Sequence, residues 1–152
     1  MSDSHSDLVL LFDAVARLHG RLRESFSDAR AGSGLADMEH TVLAAVAEAP
    51  RAPTVPQIGR ALGHPRQVIQ RAANTLLDKG LIALAANPDH KRAALLVATD
   101  EGLAVQAAAN TRAGRIATDL LGLVEAGDVR EATRLLGTIR DALSVSARKE
   151  AA

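Results

Sequence analysis

Thr54-Val-Pro-Gln-Ile-Gly-Arg-Ala-Leu-Gly63, then His64-Pro-Arg-Gln-Val-Ile-Gln-Arg-Ala-Ala-Asn-Thr-Leu-Leu-Asp-Lys79, then Asn87-Pro-Asp-His-Lys-Arg92 follow one another near the middle of a 152-residue chain. The first segment predicts a short helix. Thr54 is its cap, Pro56 falls in the first turn where a missing N–H costs nothing, and Gly63 stops it. The second predicts a longer helix with Pro65 in its first turn. Its inward face is Ile69, Ala72, Ala73 and Leu76, and Gly80 ends it. The third is a charged tip between two apolar runs, Leu81 to Ala85 and Ala93 to Val97, expected as hairpin strands. A supporting helix, a polar-faced helix and a basic hairpin together fit a DNA major groove and its flanking phosphates.

The flanking sequence is helical in pattern. Leu8, Leu11, Val15, Leu18, Leu22 and Phe26 recur three and four apart, the stripe of one long helix from about Asp7 to Arg30. Ala31-Gly-Ser-Gly34 breaks it. Asp37 to Ala49 predicts a second helix. After the hairpin, Thr99 caps a helix expected to run to about Leu123. Asp128-Val-Arg-Glu131 has capping-box spacing and is expected to open the last helix, to about Ser146. The predicted class is therefore mainly α with a small β-hairpin wing. Residues 36–98 would form a winged helix-turn-helix lobe, and 7–30 and 99–146 would be dimerisation helices, all in one domain over 1–152. The terminal helices carry more apolar surface than a small lobe covers, and a twofold copy is the economical cover.

The formal net charge is zero, but it is unevenly spread. From Arg51 to Arg92 there are seven basic and two acidic residues, a net of +5, which leaves −5 elsewhere. Such an offset supplies a local phosphate-binding field in a neutral molecule. There is no cysteine, so disulfides and thiolate metal sites are excluded. No apolar run approaches a bilayer span, and Met1 to Ser6 lack the basic start of a secretion signal, so a cytoplasmic protein with no membrane partner is expected. The five histidines include no helical i, i+4 pair, and no metal site or cofactor is expected. Neither a Gly-x-Ser-x-Gly elbow nor a phosphate-cradling glycine loop is present, so no catalytic residue is assigned.

Leu76-Leu-Asp-Lys-Gly-Leu-Ile82, Asn87-Pro-Asp-His-Lys-Arg92 and Thr99-Asp-Glu-Gly102, in this order and spacing, resemble the MarR family of winged helix-turn-helix transcriptional regulators. Met38-Glu-His-Thr-Val-Leu43 is similar to that family's second helix. The resemblance implies a homodimer on a palindromic operator. A recognition helix would enter each major groove, a wing would reach each neighbouring minor groove, and a small-molecule effector would bind between arms and lobe. The chain departs from the family pattern at His90, where an Asp is usual, and at Asn74-Thr75, where an Arg often follows an Asp.

Arg66, Gln67, Gln70, Arg71 and Asn74 are the candidate base and phosphate contacts, with Lys91 and Arg92 at the wing tip. Arg71 aligns with the family's recognition-helix Arg. His19, Arg23 and His40 are the candidate effector-pocket residues. The expected function is a ligand-responsive repressor whose partners are double-stranded DNA, a second copy of itself and the effector. The alternative is a winged-helix dimer without specific DNA binding that works through protein contacts.

Overall fold

The computed structural model describes residues 2–30 and 32–150. These form α1 (Ser2–Ser25), α2 (Ser27–Arg30), α3 (Asp37–Ala47), α4 (Val55–Leu62), α5 (Arg66–Asp78), β1 (Ile82–Ala85), β2 (Leu95–Ala98), α6 (Asp100–Leu121) and α7 (Ala126–Glu150). Two compact units, Met1–Ala113 and Gly114–Ala152, divide within α6.

In the first unit α3, α4, α5 and the hairpin enclose one apolar core. Leu43, Ile69, Leu76 and Leu96 are its largest fully buried side chains. Truncating any one to Ala costs about 2–5 kcal/mol, because lost transfer energy and a residual cavity add. The turn between α4 and α5 is built locally. The Thr54 hydroxyl accepts from Gln57 N at 3.4 Å, while the Gln57 side chain accepts from Thr54 N at 2.8 Å. Gly63 caps α4 at φ 67°, a conformation that favours glycine, and His64 N donates to the Gly59 carbonyl at 2.9 Å. Pro65 is the residue before α5 rather than in its first turn, and its carbonyl accepts from Val68 N.

β1 and β2 pair antiparallel from Ile82↔Ala98 to Ala85↔Leu95. The second strand starts two residues later than its sequence suggests. Ala93 is claimed by the wing tip, where its carbonyl accepts from the Asn87 amide at 2.8 Å and its N–H donates to His90 O at 3.1 Å. Thr99 ties the wing to α6: its hydroxyl donates to Gly80 O at 2.7 Å and accepts from Gly102 N at 3.1 Å.

Several helix boundaries differ from expectation: α1 already begins at Ser2, α6 ends at Leu121 and α7 runs on to Glu150. The first stripe is interrupted at Phe26, between α1 and α2. α3 stops at Ala47, two residues early. α7 begins at Ala126, two residues before the expected opening at Asp128, and Val129 N donates to Glu125 O at 3.2 Å, so Gly127 lies inside the first turn. Ala31, part of the expected break before α3, lies outside the described residues. No described helix is long and apolar enough to cross a membrane.

Candidate nucleic-acid interface

Ile69, Ala72, Ala73 and Leu76 fix the inward side of α5. At about 100° per residue, Gln67, Arg71 and Asn74 fall on the opposite side, and all three are exposed. Gln70 lies on one flank, half-buried, and donates through Nε2 to Asn74 Oδ1 at 2.9 Å. The pair still offers Gln70 Oε1 as an acceptor and the Asn74 Nδ2 amide as a donor. Val68 occupies the other flank at 39% exposure, an apolar group on an otherwise polar face that its sequence pattern did not single out. Arg66, the first residue of α5, is exposed and faces the wing.

The wing tip is organised without the family's Asp. Asp89 N donates to Asn87 Oδ1 at 3.0 Å, and Arg92 N donates to His90 Nδ1 at 3.3 Å. His90 thus holds the turn that presents Lys91 and Arg92, both exposed. Neither of these forms an ion pair among the described residues, and the same holds for Arg66 and Arg71. Lys79 differs. Its Nζ donates to Gly34 O at 2.6 Å and pairs with Glu39 at 3.4 Å, so it clamps the end of α5 to the start of α3. It contributes to the sequence's positive excess but is spent on the fold.

His40 is 3% exposed and lies at a separate small cavity of about 140 Å³. Phe26, Arg30, Ala44, Gln106, Ala109, Asn110 and Ala113 complete its lining. Ser33 Oγ donates to Arg30 O at 2.9 Å and lies 2.7 Å from His40 Nε2, which is itself 3.3 Å from the same carbonyl. A lone pair at Nε2 would oppose that carbonyl, so the network assigns the proton to Nε2. Burial holds the His40 pKa below the ordinary imidazole value. The Arg30 carbonyl opposes that shift, the Arg30 charge adds to it, and Asp37 and Glu39 oppose it. On the far wall Gln106 and Asn110 both donate to Glu48 Oε1, at 3.0 and 3.2 Å. Of the residues expected at an effector site, His40 lines this cavity, while His19 and Arg23 are not among its lining residues. His19 is exposed on α1, and Arg23 pairs with Asp37 at 2.5 Å. Arg30 and Phe26 take the places at the cavity instead, a consequence of the break in the first stripe.

The fold and the polar outer side of α5 define a winged helix-turn-helix DNA-binding protein. A family model described as MarR family matches residues 33–93. An uncharacterized protein of Mycobacterium tuberculosis is 42% identical over 113 residues, spanning 74% of this chain and 76% of the relative. The transcriptional repressor CouR, solved bound to a 23-mer DNA duplex, is 26% identical, with a TM-score of 0.72 over 84% of this chain and 89% of that one. CouR from Rhodococcus jostii RHA1 bound to p-coumaroyl-CoA shares the fold at 20% identity, with a TM-score of 0.74 over 83% and 88% of the two chains. The chain belongs to the MarR family of transcriptional regulators, which are not enzymes.

Proposed function

We propose that this chain is a ligand-responsive repressor that binds a palindromic operator as a homodimer. The observation that carries this reading is the outer side of α5. There Gln67, Arg71 and Asn74 stand opposite a fully apolar inner side, and Arg71 has no acidic partner among the described residues. Arg71 suits a guanine edge, and the Gln70–Asn74 pair offers the donor and acceptor an adenine edge requires. Arg66 holds a phosphate, and Lys91 and Arg92 reach the adjacent minor groove. The apolar stripe of α1 supports a second copy, since Leu8, Leu18 and Leu22 are each exposed by two-fifths or more in the single chain. The cavity at His40 suits a small effector with an anionic group that would compete with Asp37 for Arg30, and an apolar body for Phe26 and the alanines. CouR, with its bound p-coumaroyl-CoA, supports a ligand-responsive reading.

Selection of bound duplexes from a random pool tests this. The reading expects inverted-repeat half-sites centred about 10 base pairs apart, one helical turn. A pool that never enriches a sequence, although the protein is folded, contradicts it.

A further inference from the structure

Four separate parts of the chain deliver cations to one open groove of about 930 Å³ between α4 and the wing. Arg51 comes from the loop after α3, Arg60 from α4, and Arg66 and Arg92 from the start of α5 and the wing. The backbone that carries them is fixed. Leu96 N donates to Pro53 O at 2.8 Å, which pins β2 against the loop two residues beyond Arg51. The Thr54 and Gln57 bonds fix the start of α4, and the Asn87 amide fixes the wing.

The guanidinium groups themselves are uncommitted. All four arginines are exposed, and none forms an ion pair among the described residues. Among the described residues that line the groove, Asp89 is the single carboxylate. Elsewhere in the same unit Arg23, Arg30 and Lys79 are all paired, with Asp37 or Glu39. Four like charges facing one groove repel each other, and an anion relieves that repulsion. A groove this large and open, lined by cations from four segments, fits an extended polyanion better than a compact one.

We infer that this groove seats the phosphodiester backbone of the DNA strand bordering the major groove that α5 enters. Arg51 and Arg60 are then phosphate-contacting residues, and the footprint extends beyond α5 and the wing tip. The inference rests on the DNA-binding reading above. Its contacts position the duplex and carry no base preference.

The test is a titration of the full chain with its selected duplex over a salt series, comparing wild type, Arg51→Gln, Arg60→Gln, the double variant and Arg60→Lys. Removing one cation from a phosphate lowers the slope of log affinity against log salt by about 0.9, hence by about 1.8 per substituted residue when two copies bind. The expected result is a shallower slope for each Gln variant, additive in the double variant. Arg60→Lys keeps the wild-type slope, and the preference for selected over scrambled duplex is unchanged. Wild-type slopes in both Gln variants, or a Lys variant whose slope falls as far as that of Gln, overturn the inference. If Arg71→Gln alone flattens the slope, this groove is excluded and the DNA-binding reading survives. If wild type shows neither sequence preference nor salt dependence, both fall.

Discussion

Val68 is the apolar exception on the outer half of α5. A β-branched residue there gains nothing from helix propensity or from core burial. If α5 enters the major groove as proposed, Val68, one turn from Arg71, would meet the C5-methyl of a thymine. Replacing that thymine with uracil in the selected duplex removes the methyl. The expected loss is roughly fourfold in affinity, from about 0.8 kcal/mol per buried methyl-sized group, and Val68→Ala abolishes the difference between the two duplexes. His40 gives a second prediction. Because burial lowers its pKa in the folded state, the unfolded chain takes up the proton at the higher pH. Stability is therefore full above about pH 6.5 and falls as pH drops through that value, levelling off once the folded imidazole also protonates. The urea midpoint measured across pH 5–8 should show this fall, and His40→Asn should remove that part of it. Arg71, Gln67 and Asn74 were legible in the sequence because helical spacing alone sets them opposite Ile69, Ala73 and Leu76. Arg51 and Arg60 were visible only as charge, since no spacing rule brings a loop residue and an α4 residue to the same groove as the wing. Lys79 misled the charge count for the opposite reason, because its partners Gly34 and Glu39 lie some forty residues earlier in the chain.

Element ends follow local chemistry where a single side chain decides them. Thr54, Gly63, Gly80 and Thr99 act as expected, since a cap or a left-handed glycine needs only its own neighbours. The interruption at Phe26 and the early start of α7 carry no such signal. Nothing in the stripe of α1 marks Phe26 as the residue turned toward a cavity built by α3 and α6. The start of α6 shows how tightly elements meet. A Cβ on Gly102 would lie 2.0 Å from Leu81 O, a backbone atom that moves only with the wing. Gly102→Ala should cost about 3 kcal/mol or more, the upper range for overpacking. Thermal unfolding would read this as a fall in Tm, while an unchanged Tm would mean that α6 and the turn into β1 separate freely.

The whole molecule is neutral because the basic middle is balanced by acidic flanks, a distribution that confines the positive field to α5, the wing and the groove beside α4. α1 in the first unit and α7 in the second each leave apolar side chains in water, among them Leu18 at 51% and Leu135 at 46% exposure. A second copy would cover such faces, and it would also double the number of phosphate contacts. Leu18→Glu should shift light-scattering mass from dimer toward monomer and weaken operator binding roughly a hundredfold or more, because the half-sites lose their linkage. The salt dependence of wild-type binding to the selected operator tests the DNA-binding face as a unit. Six cations per subunit, uncommitted among the described residues (Arg51, Arg60, Arg66, Arg71, Lys91 and Arg92), predict that log affinity falls with log salt at a slope of about −5 for one bound copy and about −11 for two. A slope near zero, or affinity equal for operator and scrambled duplex at every salt concentration, would contradict the assignment of this face to DNA.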